Sequence, residues 1–148
     1  MDMYTKKVIH LASNIPHSRR LVNPSVTITK RTPICGSSIT IDMLITDGKI
    51  VEFGQKINAC ALGQASASIV TSNIIGTTKS DAEKLLHSVN EMLTANGNIP
   101  KKPYQEFEAL IPAKKYKNRH ASIMLILTTI IEAFKQFEKN YPQTFKLN

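Results

Sequence analysis

Between residues 3 and 12, Tyr4, Val8, Ile9 and Leu11 recur at helical spacing, which predicts a short amphipathic helix that Pro16 must end. After irregular chain, the pattern changes at Ser25 to β-branched alternation. Val26 and Ile28 belong to one strand and, beyond a turn from Pro33 to Ser37, Ile39, Ile41, Met43 or Leu44 and Ile45 belong to the next. Asp47-Gly48 is a two-residue hairpin signal, and Ile50, Val51 and Phe53 supply the returning strand. The prediction is a three-stranded antiparallel meander.

Period-2 patterning stops at Gly54, and from Cys60 the chain becomes dense in small residues. A helix over about Ala61 to Ser72 is expected, with Ala61, Ala65 and Ser68 forming a face that a neighbouring element can approach closely. Ser80 and Glu83 fit a capping box for the next helix, in which Ala82, Leu85, Leu86, Val89 and Leu93 face the core until Asn96-Gly97 closes it. A short turn around Tyr104 to Leu110 leads to Pro112. The final helix is expected from about Asn118 to Lys139, with Ile123, Leu127, Ile130, Ile131, Phe134 and Phe137 inward. Neither an internal repeat nor a linker interrupts this pattern, so residues 1–148 read as one domain of the α+β class. In it a three-stranded antiparallel sheet packs against about four to five helices.

At 148 residues, with 42% hydrophobic residues, the chain is long enough to bury a core without a disulfide or structural metal, so any bound metal would be functional. The longest apolar stretch, Ile123 to Ile131 with two threonines inside it, is far short of the about 20 residues a membrane span needs. The first twenty residues have no continuous apolar segment of the kind a secretory signal carries, and the expected location is the cytoplasm. In a reducing cytosol Cys35 and Cys60 are read as buried thiols, metal ligands or nucleophiles rather than a disulfide. The net charge of +8 admits nucleic acid, an acidic partner or a solvated surface. Lysines cluster only at Lys101, Lys102, Lys114, Lys115 and Lys117, beside Arg119 and with few aromatics among them, which argues against nucleic acid.

Cys35 lies in Thr-Pro-Ile-Cys-Gly-Ser, a turn that can hold a side chain at the end of a sheet. Cys60 falls at the junction of a strand region and a helix, where free backbone amides and the helix dipole favour the thiolate that binds metal or attacks sulfur. The competing reading of either cysteine is a small buried hydrophobe. At the mouth of the last helix, His120 offers a metal ligand and Arg119 a cation that can stabilise a thiolate or a sulfide-bearing anion. His10, His17 and His87 have no ligand pattern around them and are read as surface residues. No Walker loop, GxSxG elbow, HExxH helix or CxxC pair occurs, so nucleotide, serine-hydrolase and zinc-protease chemistries lack support.

Together, Pro33-Ile34-Cys35-Gly36, the Asp47-Gly48-Lys49-Ile50 hairpin and the stretch Ala59-Cys60-Ala61-Leu62-Gly63-Gln64-Ala65-Ser66-Ala67-Ser68 resemble the iron-sulfur cluster scaffold family of the IscU, SufU and NifU amino-terminal type. Leu110, Pro112, Ala113, Arg119 and the apolar last helix fall where that family's closing segment would. The resemblance implies an α+β fold and a non-enzymatic role. A protein of this kind receives sulfur from a cysteine desulfurase and iron, assembles a 2Fe-2S or related cluster, and passes it to apo iron-sulfur proteins. It also implies a metal site for iron or zinc, to which thiolates are well suited.

On this resemblance Cys35 matches the first family cysteine and Cys60 the second. The family's Cys-Gly-Asp becomes Cys35-Gly36-Ser37, and its third cysteine becomes Ser122 when Arg119 is aligned with the family's basic residue. Serine hydroxyl is a poor ligand beside thiolate and imidazole. The expected cluster-binding set is therefore Cys35, Cys60, Ser37, Arg119 and Ser122, with Cys35, Cys60 and His120 as metal ligands in a weak, open site that a homodimer could share. Two alternatives stay open. One is a degenerate relative that accepts persulfide sulfur or binds the desulfurase as an accessory. The other is a basic module whose Lys101 to His120 segment docks an acidic protein or nucleic acid, both cysteines being structural.

Overall fold

The computed structural model describes residues 3–33 and 36–142, so Cys35 lies outside the described residues. The elements run in the order α1 (Lys6–Ser13), β1 (Val26–Arg31), β2 (Ser38–Thr46), β3 (Lys49–Asn58), α2 (Ala61–Thr71), α3 (Lys79–Thr94) and α4 (His120–Asn140). Two 3-10 stretches, Gln105–Lys115 and Lys117–Arg119, precede α4. The sheet is the expected antiparallel meander, ordered β1-β2-β3. Asp47 and Gly48 both have positive φ, 53° and 74°, as a tight hairpin of matching twist requires. Ile41, Met43, Ile50 and Phe53 are buried on one face of the sheet, and α4 packs across β1 and β2. Among the described residues no helix is long and apolar enough to cross a membrane.

Helix α2 departs from the expectation of a single small-residue face. Leu62, Gly63 and every residue from Ala65 to Thr71 are buried, because the helix lies between α1 on one side and α4 on the other. The Ser68 hydroxyl donates to the Asn14 carbonyl after α1 at 3.2 Å, and the Ser66 hydroxyl to the Ile123 carbonyl of α4 at 2.6 Å. Serines in this helix thus join it to both neighbours while keeping their polar atoms satisfied.

The capping box of α3 is formed by Thr78 and Asp81, each side chain accepting from the other's amide at 3.1 Å, and Ser80 and Glu83 lie inside the helix. Both pairs have the same spacing; Thr78 is the residue with the extended backbone a cap needs. At the other end Asn96 takes positive φ and the Gly97 amide donates to the Glu91 carbonyl at 2.9 Å, the closing signal expected there. Leu86 is only partly buried. The turn expected before Pro112 is the longer 3-10 stretch, which buries Phe107, Leu110 and Ala113. Helix α4 buries every residue expected on its inner face.

One polar cluster had no sequence signal. Asp42 stands on the face of β2 opposite Ile41 and Met43, yet it is fully buried because the chain after α1 crosses that face. Its carboxylate accepts from Arg20 Nε at 2.7 Å, Arg20 Nη2 at 3.1 Å, the Leu21 amide at 2.9 Å and Thr27 Oγ1 at 2.6 Å. The neighbouring strand places Gly54 opposite Asp42, and a Cβ there would overlap the Arg19 carbonyl. His17 belongs to the same crossing segment. It is half-buried rather than a surface residue, its carbonyl accepting from the Gln55 amide at 3.0 Å and its ring meeting Phe53 edge-on.

Burial alone would raise the Asp42 carboxyl, but the hydrogen bonds from Arg20, Thr27 and Leu21 with the Arg20 charge outweigh it and hold the group below its ordinary value. A depressed carboxyl contributes stability that is present above its unfolded value, near pH 4, and lost as pH falls through the folded one. Asp42→Asn should therefore destabilise the fold by about 1–3 kcal/mol at pH 7 and flatten the loss of stability below about pH 4. Urea titrations across pH check both; an unchanged pH dependence would remove Asp42 from this role.

Candidate functional site

Cys60 is the N-cap of α2, in extended conformation, and its carbonyl accepts the first helical bond from the Gln64 amide at 3.0 Å. Its thiol does not cap the helix. Instead Sγ lies 3.4 Å from Ser122 Oγ, on the first turn of α4. Ser122 Oγ in turn lies 3.1 Å from Ser37 Oγ. Ser37 follows Gly36, whose φ of 67° turns the chain into β2, and its carbonyl accepts from the Thr32 amide at 2.8 Å, closing the loop between β1 and β2. Three segments far apart in sequence therefore converge at the N-terminal ends of two helices and the start of a strand. Both hydroxyls are buried, Ser37 at 2% and Ser122 at 1% exposure, while Cys60 is half-buried.

The ring of His120 has a different environment. Its Nε2 lies 3.0 Å from the Ala113 carbonyl, and it lines a cavity of about 800 Å³ with Leu93, Ile111, Pro112 and lysines 114, 115 and 117. A step of two residues turns a helix by about 200°, so His120 and Ser122 occupy opposite sides of α4. Arg119 is half-buried at the end of the preceding 3-10 turn and forms no ion pair among the described residues. Among the described residues, no three side chains of His, Cys, Asp or Glu gather in one place. Among the described residues, the Cys60 thiol and the hydroxyls of Ser37 and Ser122 are the polar groups whose contacts define this place.

Gly63 is the residue of this site that sequence reasoning passed over. It lies three positions after Cys60 inside α2, and a Cβ built on it would stand 2.5 Å from Ser122 Oγ and 3.0 Å from the Ser122 carbonyl oxygen. In the sequence it is one small residue in a run of them; its contact with Ser122 exists only once α4 is packed on α2.

Residues 3–122 match the family model described as "NifU-like N terminal domain". The chain belongs to that family. A NifU-like N-terminal protein from Brucella abortus has the same fold at TM-score 0.88 and 31% identity, over 93% of this chain and 95% of that one. The iron-sulfur cluster assembly scaffold protein IscU of Streptococcus pyogenes serotype M1 is 27% identical over 124 residues, covering 84% of this chain and 78% of its own length. That of Thermotoga maritima is 23% identical over 137 residues, covering 93% and 96%. The α+β architecture and the resemblance drawn from the Cys35, Asp47-Gly48 and Cys60 segments are thus both shown. In this NifU-like domain Ser37 and Ser122, both expected in the cluster-binding set, meet each other, and Ser122 meets Cys60.

Because Ser122 Oγ is buried between two polar partners, Ser122→Ala should cost about 1 kcal/mol through the hydrogen bond lost and the Ser37 contact removed. Urea unfolding of the variant beside the parent chain measures it. No change in midpoint would mean the hydroxyl contributes nothing to holding α4 on α2.

Proposed function

We propose that this NifU-like protein is a scaffold of iron-sulfur cluster assembly, taking sulfur from a cysteine desulfurase and iron, and delivering the product to apo iron-sulfur proteins. The observation that carries the proposal is the convergence of Cys60, Ser122 and Ser37, with contacts of 3.4 and 3.1 Å, from segments separated by 62 and 85 residues. The scaffold names of the relatives from Streptococcus pyogenes and Thermotoga maritima support it. The proposed ligands are Cys60 and Cys35, with Ser37 and Ser122 as hydrogen-bonding neighbours. Thiolates suit iron, and zinc equally, whereas neutral hydroxyls bind either metal weakly. A site so built holds its cargo loosely, which favours transfer over storage. His120 stands on the other side of α4 from Ser122, with Nε2 3.0 Å from the Ala113 carbonyl, and is left out of the proposed ligand set, while Arg119 offers a positive charge at the same helix entrance.

A second reading is favoured by the two hydroxyls themselves. With hydroxyls where the resemblance expects a thiol and a carboxylate, the site is better furnished to carry sulfur than to keep metal. In that reaction the Cys60 thiolate attacks the outer sulfur of the desulfurase persulfide; the donor's S–S bond breaks, the donor leaves as thiolate, and Cys60 becomes the persulfide with no net oxidation.

Anaerobic reconstitution with iron, cysteine and a desulfurase should give a visible chromophore that Cys60→Ala abolishes and Ser122→Cys makes longer-lived. Omitting iron should leave a persulfide on Cys60, found by mass spectrometry. A persulfide without any chromophore selects the second reading. Neither product from the unaltered chain would refute both.

A further inference from the structure

A Cβ at Gly63 would stand 2.5 Å from Ser122 Oγ, and this close approach of α2 to α4 falls at the proposed site. Alanine is the better helix former, because glycine loses more backbone freedom on entering a helix. At position 63 an alanine methyl would lie 2.5 Å from Ser122 Oγ, 3.0 Å from Ser122 O and 3.1 Å from Ala59 Cβ, so these neighbours must move to admit it. Rotation of the Ser122 side chain relieves the first contact only by taking Oγ from its place, and the backbone oxygen of α4 must still move by a few tenths of an ångström. The neighbouring Ser66 hydroxyl fixes the same approach by donating to the Ile123 carbonyl at 2.6 Å. The two helices are thus held together by a hydrogen bond at Ser66 and admitted to that distance by the missing side chain at Gly63.

We infer that Gly63 is a positioning residue: it lets the first turn of α4 seat residue 122 between Cys60 and Ser37. It touches no cargo itself. Its importance for sulfur or iron chemistry rests on the function proposed above, but its effect on residue 122 is independent of that function. The same geometry makes position 122 the point at which ligand character is decided. Whatever side chain stands there is delivered to the Cys60 thiol, so a hydroxyl or a thiol at 122 changes the donor set without rebuilding the fold.

The test uses Ser122→Cys in the full chain with Cys35→Ser, which removes competing exchange. Oxidised glutathione should join Cys60 to the introduced thiol; the two thiols are oxidised, two glutathione molecules are formed, and peptide mass mapping reads the bridge. Adding Gly63→Ala should slow bridge formation about tenfold or more, as a displacement of α4 misaligns the sulfurs. In a separate pair, Gly63→Ala should lower Tm and Ser122→Ala should recover part of the loss, since it removes the contact with Oγ. Equal bridging rates with and without the Gly63 methyl would overturn the inference. If Gly63→Ala prevents folding, recovery by Ser122→Ala supports the inference and failure to recover overturns it. Neither readout needs iron or a desulfurase, so a bridge that depends on Gly63 in a chain that yields no chromophore or persulfide would count against the proposed function alone.

Discussion

The enclosure of α2 is the constraint on which the rest of the structure depends. A helix buried from Leu62 to Thr71, apart from Gln64, must satisfy neighbours on every side, and it does so with small residues. Ser68 reaches the end of α1, Ser66 reaches α4, and Gln55 of β3 donates to Thr71 at 3.0 Å. Each hydroxyl does two things at once, filling little volume and satisfying a polar group that burial would otherwise strand. Larger side chains would bury more apolar area, but they would force α1 and α4 apart. The close spacing is what brings the first turn of α4 down to the start of α2, and with it Ser122 to Cys60.

The sheet supplies the third wall. Its β3 edge is covered, with the Ile50 amide donating to Thr77 and the Gly76 amide to Ile50, and the Gln55 amide donating to His17 further along. The segment that crosses the opposite face is fastened at Asp42, whose carboxylate collects donors from Arg20, Leu21 and Thr27, and it lies against Gly54, which stands opposite Asp42 in register. This fastening is remote from Cys60 in chemistry but not in consequence. It holds the same chain that carries α1 to its place against α2, so the small-residue helix is gripped from both sides.

Within this frame the site has a polarity that the resemblance alone did not describe. Cys60 is half-buried, with the buried Ser122 hydroxyl beside it and the buried Ser37 hydroxyl behind that, so hydrogen-bonding groups back the thiol. The lysines at positions 114, 115 and 117 lie around the entrance to α4, on the side where His120 meets Ala113, and Arg119 ends the 3-10 turn just before it. The positive surface and the thiol are therefore joined through the first turn of α4, whose two sides carry His120 and Ser122.

Much of this was legible in the residues themselves, because it depends on near neighbours in the chain. Alternating β-branched residues, the Asp47-Gly48 turn, the small-residue run after Cys60 and the long apolar period of α4 each encode a local periodicity or a backbone preference. The segments around Cys35 and Cys60 were enough to suggest the family. Interactions whose partners are distant in sequence were settled by tertiary structure. Asp42 looks like a polar residue on an open sheet face until the crossing segment buries it. The capping box could have used either of two pairs with the same spacing, and Thr78 won because the chain entering α3 is extended there. Ser37 and Ser122 were put in one set by the family resemblance, but no periodicity or turn signal spoke of their contact across 85 residues, and Gly63 was indistinguishable from its small neighbours. Periodicity and turn chemistry act over a few bonds and are written along the chain; contact between α2 and α4 is set by how closely two packed surfaces can approach, which exists only in three dimensions.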